Sequence, residues 1–154
     1  MTDYEIIKTA LDIAKKAHEG QVDKAGEEYI FHPVTVALLC DDAKTKAVAL
    51  LHDTIEDCDV TYEQIRDALG EEIADAVRLL THDDDQPSTG DWLSDYHAYV
   101  QRIKDSGNKL AIAVKKADLT MNMDLSRIPN PQAKDYERLE KKYKPALEII
   151  EKEE

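Results

Sequence analysis

Apolar residues recur at helical spacing along almost all of this 154-residue chain, and this spacing most constrains its fold. The first such face repeats every three or four residues, through Ile6, Ile7, Ala10, Leu11, Ala14 and Ala17. No stretch of useful length alternates apolar and polar residues as a half-buried strand does. A chain of this length also buries enough apolar surface to fold without disulfides. The sequence therefore predicts an all-α bundle of seven to nine helices, in one domain over residues 1–154.

Capping and breaking residues indicate several helix ends. Thr61 and Gln64 form a capping-box pattern that opens a helix, and Gly70 ends it. A second break is predicted at 106–108, around Gly107. The polar run 82–90 is predicted to be a loop. The other predicted helices begin at Pro33 or cover 44–53, 71–80, 91–104, 110–123 and 132–151.

The formal net charge of −13 argues against binding of long nucleic acids, which requires a basic surface to neutralise phosphates. No apolar run is long enough to span a bilayer, and the N-terminus lacks a cleavable apolar leader. A cytosolic protein without membrane partners is therefore expected. Two cysteines make no disulfide framework. Cys40 is predicted to be a small buried residue, and the hard ligands beside Cys58 disfavour a soft-metal site there.

His52 and Asp53 are adjacent at the end of an apolar helical run. A neutral imidazole and a carboxylate in this arrangement can bind one divalent cation together. Glu56 and Asp57 follow three and four residues later, which returns them to the same side of a continuous helix. One helix end thus offers two metal ligands and two acid/base groups, a combination typical of hydrolases.

Two further residues extend this set. His32 stands before the predicted helix at Pro33, and Asp118 lies within an apolar helix, where a lone carboxylate is costly unless paired or coordinated. Taken singly, His32 could be a loop histidine, and Asp118 could pair with Lys115 or Lys116. Taken together with the His-Asp pair, they form a mixed nitrogen and oxygen set that suits Mn, Fe, Zn or Mg.

The order His…His-Asp…Asp resembles that of the HD-domain metal-dependent phosphohydrolases. Within that family the chain is most similar to the hydrolase domain of the RelA/SpoT type, including the small stand-alone alarmone hydrolases. The segments that carry the resemblance are 17–21, 24–33, 49–57, 116–118 and 122–123. The resemblance implies a helical HD-domain bundle that removes pyrophosphate from the 3′ position of (p)ppGpp, with Mn²⁺ as the expected cofactor and a small nucleotide as the partner.

The same resemblance implies a role for each site residue. The implied metal ligands are His32, His52, Asp53 and Asp118. Glu56 and Asp57 are the implied catalytic residues, which position and deprotonate the attacking water and assist the leaving oxygen. Lys24 and Asn122 are the implied substrate-binding residues, at the base or phosphates and at the ribose respectively.

The chain departs from the family pattern at two places. The family's basic Arg-Lys pair is Asp23-Lys24 here, and the run after Asp118 lacks the family's Arg and His. Two alternatives therefore stay open. One is an HD-domain nucleotidase that acts on another nucleotide phosphate ester. The other is a non-catalytic HD module that binds a nucleotide or a protein, although the intact Glu56-Asp57 pair argues against it.

Several residues outside the motif receive structural interpretations. His82 and His97 are interpreted as surface or packing residues. Trp92, Tyr96 and Tyr99 lie on or beside one face of a predicted helix and are interpreted as core or as a dimer contact. The lysine-rich last helix leaves a homo-oligomer open.

Overall fold

A computed structural model of this chain describes residues 1–23, 25–82 and 88–152. Its helices are α1 (Asp3–Ala17), α2 (Phe31–Leu38), α3 (Ala43–Leu51), α4 (Thr54–Asp57), α5 (Tyr62–Leu69), α6 (Glu71–Leu80), α7 (Trp92–Ser106), α8 (Lys109–Asn122), α9 (Ala133–Arg138) and α10 (Lys144–Glu151). A 3-10 turn covers Leu125–Arg127, and a π-helical segment, Leu139–Tyr143, joins α9 to α10. Within the described ranges there is no strand, and one isolated bridge pairs Val22 with Glu28. The all-α prediction is confirmed.

Local capping explains where several helices begin and end. The predicted capping box is present: Thr61 Oγ1 accepts the Gln64 N–H at 3.2 Å, and Gln64 Oε1 accepts the Thr61 N–H at 2.9 Å. Helix α5 then ends at Gly70 and α7 at Gly107, which adopts the left-handed conformation with φ of 67°. The predicted loop 82–90 falls mostly on 83–87, outside the described residues.

Helices α3 and α8 form the centre of the bundle. Helix α3 contacts α1, α2, α6 and α8, and α8 also contacts α2, α7 and α10. Leu51 of α3 and Leu119 of α8 are fully buried. Burying one such side chain contributes about 1.5–3 kcal/mol. The mutual contacts of α2, α3 and α8 bring a late segment of the chain, α8, against two early ones.

Helix α3 ends two residues earlier than predicted, at Leu51. The Thr54 hydroxyl donates to the Leu51 carbonyl at 2.8 Å, and the His52 ring lies 2.5 Å from the Ala49 carbonyl. These side chains satisfy carbonyl groups of the last turn of α3, so the chain can leave the helix there. Glu56 consequently lies on a separate short helix, α4, rather than on a continuation of α3.

Across the described ranges, the helices are all too short or too polar to traverse a lipid bilayer.

Candidate metal centre

Four side chains predicted as metal ligands converge in the structure. His32 lies in the first turn of α2, and His52 and Asp53 lie in the turn between α3 and α4; one ligand atom of each falls within 4.8 Å of the others. Asp118 reaches them from α8, with Oδ1 at 3.1 Å from His32 Nε2 and 3.7 Å from His52 Nε2. These side chains could surround a single ion.

The His52 ring is oriented by the backbone. Its Nδ1 lies 2.5 Å from the Ala49 carbonyl oxygen, which can only accept, so Nδ1 carries the hydrogen and donates. The other nitrogen, Nε2, faces the carboxylates and lies 3.2 Å from Asp53 Oδ2. A histidine held in this tautomer by its second nitrogen is the usual form of an imidazole metal ligand.

Asp118 is buried and charged. Burial by itself would raise its pKa, but the Lys115 ammonium, 3.2 Å from Oδ2, and the two imidazoles outweigh burial and hold the pKa well below its usual range. Lys115 is equally buried, yet the neighbouring tyrosines and Asp118 hold its pKa well above the usual value. The ion pair with Lys115 that the sequence offered as an alternative for Asp118 is thus present at Oδ2, while Oδ1 faces His32.

Three further contacts surround the ligand set. The Tyr29 hydroxyl donates to Asp53 Oδ2 at 2.5 Å, a contact that the sequence reasoning did not anticipate. Asn122, predicted to bind substrate, donates from Nδ2 to Asp118 Oδ1 at 3.4 Å. Burial lowers the pKa of His32, but the hydrogen bond to Asp118 together with the charges of Asp118 and Asp53 outweighs burial, and the pKa is raised overall. Hydrogen bonds from Tyr29 and Asn122 thus orient the carboxylates of Asp53 and Asp118, the two oxygen ligands of the predicted set.

A cavity of about 220 Å³ adjoins the ligands. Besides His52, Asp53 and Asp118, its wall includes the polar side chains of Glu56, His82, Tyr96, Tyr99, Lys115 and Lys142. The ammonium of Lys115 lies 5.1 Å from the ring centres of both Tyr96 and Tyr99, and that of Lys142 lies 4.7 Å from the Tyr96 ring centre. Two cations held against aromatic faces thus lie beside the predicted ligands.

Three aromatic residues of the cavity wall have a position that the sequence interpretation did not include. Tyr99 is buried in the core as predicted, but it also faces the cavity, as does Tyr96. His82 lines the cavity too, with its ring 5.3 Å from that of Tyr99, so its interpretation as a surface or packing residue was incomplete. The i, i+3 spacing of the two tyrosines was a usable signal that they share a helix face. His97 packs as predicted, with Nε2 at 3.2 Å from the Lys142 carbonyl oxygen.

The structure describes the remaining predicted site residues to different extents. Glu56 lines the cavity, and its carboxylate accepts the His82 backbone N–H at 3.3 Å. Asp57 is the last residue of α4, but its side chain lies outside the described part of the structure. Lys24 lies outside the described residues. Asp23 accepts the backbone N–H groups of Ala25 and Glu27 at 2.8 and 3.0 Å, so its carboxylate closes its own loop.

Sequence comparison identifies relatives with named activities. The chain is 47% identical over 81 residues to the guanosine-3′,5′-bis(diphosphate) 3′-pyrophosphohydrolase of Aquifex aeolicus, covering 50% of this chain and 12% of the relative. It is 37% identical over 130 residues to the Vibrio cholerae protein of the same name, covering 77% and 18%. It is 34% identical over 128 residues to the bifunctional (p)ppGpp synthase/hydrolase SpoT of Escherichia coli K12, covering 76% and 17%. The chain therefore spans less than a fifth of the length of these relatives.

The fold has a counterpart among solved structures. A structure described as a metazoan ortholog of SpoT that hydrolyses ppGpp superposes with a TM-score of 0.77 at 19% identity, covering 95% of this chain and 85% of that one. The two proteins share a fold.

A family model described as an HD domain matches residues 10–128. HD domains bind divalent metals, which agrees with the His/Asp cluster found here. The matched range contains α2, α3, α4 and α8, and so every helix that contributes to the cluster. The chain belongs to the HD-domain family.

Proposed function

We propose that this chain is a metal-dependent phosphohydrolase that releases pyrophosphate from the 3′ position of (p)ppGpp. The observation that carries the proposal is the convergence of His32, His52, Asp53 and Asp118 at the edge of a cavity with a carboxylate and two lysines in its wall. The activities named for the relatives from Aquifex and Vibrio support the choice of substrate.

The four ligands fit a divalent cation, with Mn²⁺ as the first candidate and Fe, Zn or Mg as alternatives. The donor set is two imidazole nitrogens and two carboxylates, which suits borderline and hard cations, and the bond from His52 Nδ1 to the Ala49 carbonyl makes Nε2 the nitrogen that would bind the ion. When bound, such a cation supplies Lewis acidity, which lowers the pKa of a water molecule and offsets negative charge on a phosphoryl oxygen.

The other polar residues have separate roles in this proposal. Glu56 accepts the proton of the attacking water, and Asp57 assists it at the end of the same short helix. Lys115 and Lys142 attract the substrate phosphates, which explains how a chain with a net charge of −13 can bind an anionic nucleotide. Lys24 and Asn122 stay predictions as substrate-binding residues, Asn122 through its position beside Asp118.

The test is turnover of ppGpp by the purified, Mn²⁺-loaded protein, with GDP, pyrophosphate and orthophosphate separated by ion-exchange chromatography. The proposal expects GDP and pyrophosphate in equal amounts, dependence on Mn²⁺, and no product from Asp53→Ala. Absence of turnover in protein that demonstrably holds metal would contradict the substrate assignment and favour a non-catalytic HD module.

A nucleotidase that acts on another nucleotide phosphate ester is the second candidate. Two observations favour it: Asp23 is engaged within its own loop, and Leu119, which follows Asp118, is fully buried in the core. Neither position presents a basic side chain, as the family pattern has at the corresponding places. Release of orthophosphate from nucleoside monophosphates, with ppGpp unchanged, would identify this activity.

Other properties stay predictions from the sequence. These are a single domain over 1–154, a cytosolic location and a homo-oligomer. Size-exclusion chromatography with light scattering would determine the oligomeric state.

A further inference from the structure

A row of aromatic side chains runs along one face of α7, from the candidate metal centre to the protein surface. Its members are Trp92, Tyr96 and Tyr99, which their i, i+4, i+7 spacing puts on one side of the helix. Exposure rises outward along this aromatic row: Tyr99 is 7% exposed, Tyr96 is half-buried and Trp92 is 59% exposed. Trp92 is thus not a core residue, which was one of its two interpretations from the sequence.

Two lysines alternate with the rings of the aromatic row. Lys115 Nζ pairs with Asp118 at 3.2 Å and lies 5.1 Å from the Tyr96 ring centre. Lys142 Nζ lies 4.7 Å from the Tyr96 ring centre on one side and 5.2 Å from the Trp92 ring centre on the other. These contacts lead without interruption from a candidate metal ligand, Asp118, to an exposed indole.

The indole is held in a defined position. Asp91 Oδ1 accepts the Leu93 N–H at 3.2 Å and caps α7, so that Trp92 is the first residue of a regular helix. Lys142, which contacts the ring, lies in the π-helical segment, and its carbonyl oxygen accepts from His97 Nε2 at 3.2 Å. A ring that is already positioned loses little conformational freedom when a ligand binds to it.

The chemistry of the row and the cavity matches the two ends of a nucleotide. Anionic phosphates suit the inner end, where the lysines lie beside the candidate cation site. A flat nucleobase suits the outer end, because bases stack on aromatic side chains and every base has a π-face. An indole that is mostly exposed to water at the end of such a cavity is therefore a surface on which a base can stack.

We propose that Trp92 is the stacking surface of a nucleobase subsite at the outer end of the cavity, with the ligand phosphates toward Lys142 and Lys115. The inference rests on the proposed function only in that the ligand is a nucleotide. Stacking does not read the hydrogen-bonding edge of a base, so the subsite accepts guanine and other bases alike. Lys142 lies beyond residues 10–128, the range that the HD-domain model matches, so the matched domain by itself does not supply this subsite.

The test compares two diphosphates that differ in the base. GDP and inorganic pyrophosphate are titrated by calorimetry into the parent protein and its variants, in one buffer that contains Mg²⁺. We expect Trp92→Ala to weaken GDP binding about tenfold, the size expected for loss of one base–aromatic stack, and to leave pyrophosphate binding unchanged. Trp92→Phe should keep most of the GDP affinity, because it retains an aromatic face. Tyr4→Ala, at another exposed aromatic residue, is the control and should bind both ligands as the parent does.

A second readout comes from the protein itself, because Trp92 is its only tryptophan. We expect GDP to quench the tryptophan emission in a saturable manner, with the same midpoint as the calorimetric titration. Free N-acetyltryptophanamide, titrated in parallel, corrects for absorption by the nucleotide. The exposed position of Trp92 makes it improbable on physical grounds that the variants unfold, and circular dichroism checks this directly.

Three results would overturn the proposal. These are a GDP affinity that is the same in Trp92→Ala as in the parent, an equal loss of GDP and pyrophosphate binding, or no GDP binding to the parent. A parent dimer that becomes a monomer in Trp92→Ala, with GDP affinity unchanged, would instead identify the indole as a contact between two copies. Turnover of ppGpp by the parent is measured separately, so failure of the subsite is distinguishable from failure of the proposed function.

Discussion

Replacing Lys115 with methionine probes the buried ion pair beside the candidate metal centre. The Lys115 side chain is 8% exposed and its Nζ lies 3.2 Å from Asp118 Oδ2. Methionine has a similar length but no charge, so the change removes the cation and leaves the Asp118 carboxylate buried. Lys116 is the matched control, because it is the next residue of α8, has a 56% exposed side chain and pairs with Glu151 at the surface.

The loss of stability expected for Lys115→Met follows from the burial of the ion pair. Removing one partner of a buried ion pair costs about 3–5 kcal/mol, because the other charge is left without compensation. Asp118 still accepts hydrogen bonds from His32 and Asn122, so we expect the lower end, about 3 kcal/mol. In a chain of this size that lowers the melting temperature by about 6–12 °C. An exposed pair contributes little, so Lys116→Met should melt within about 2 °C of the parent protein.

The stability that the Lys115–Asp118 pair contributes should change with pH in a defined direction. The pKa of Asp118 is lowered by folding, so its contribution to stability is present above the pKa of an unfolded carboxyl, about 4, and is lost as the pH falls through the folded value. The pKa of Lys115 is raised, so its contribution is present below about pH 10 and is lost as the pH rises through the folded value. The difference between Lys115→Met and the parent should therefore be full at pH 7 and shrink below about pH 4.

The assay is thermal unfolding followed by circular dichroism on EDTA-treated protein at neutral and acidic pH. EDTA treatment matters because a bound cation would compensate the Asp118 charge in place of the lysine. If Lys115→Met melts at the same temperature as Lys116→Met at pH 7, the ion pair does not stabilise the fold and the argument from burial is wrong.

The remaining predictions concern the metal centre. Asp53→Ala should lose the bound metal, measured by mass spectrometry of the dialysed protein; stoichiometric retention would refute its assignment as a ligand. Glu56→Gln should keep the metal but lose turnover by roughly a hundredfold, as expected on removal of a proton-transfer group, and near-normal turnover would place that role elsewhere. Tyr29→Phe removes the hydroxyl that bonds Asp53 and should weaken Mn²⁺ binding about tenfold by calorimetry, while Tyr4→Phe, at an exposed residue, should bind as the parent does. Equal affinities would show that Tyr29 does not orient Asp53.

Helix type and several helix ends could be predicted from the sequence because they depend on neighbouring residues. Thr61 and Gln64 satisfy each other's backbone groups within one turn, and Gly107 adopts a backbone conformation that other residues avoid. The end of α3 was placed two residues late, since the bonds that end it come from the side chains of His52 and Thr54, which the apolar periodicity does not register.

The candidate ligands could be selected from the sequence only as a set, because His32 and Asp118 are 86 positions apart and each has an ordinary explanation alone. The residue order typical of the HD family grouped them as one set. The contacts among α2, α3 and α8 provide the physical reason that they meet.

The sequence alone determined the all-α class and the main helices and selected the candidate ligand set, since these follow from short-range periodicity, capping and a recognisable order of residues. Tertiary structure alone decided that Tyr96, Lys115 and Lys142 share one cavity with Asp118, and that Cys58 meets His18. Such contacts depend on how helices far apart in the chain pack against one another. The side chains that direct this packing are spread over several helices, so no local pattern encodes which polar groups end up facing each other.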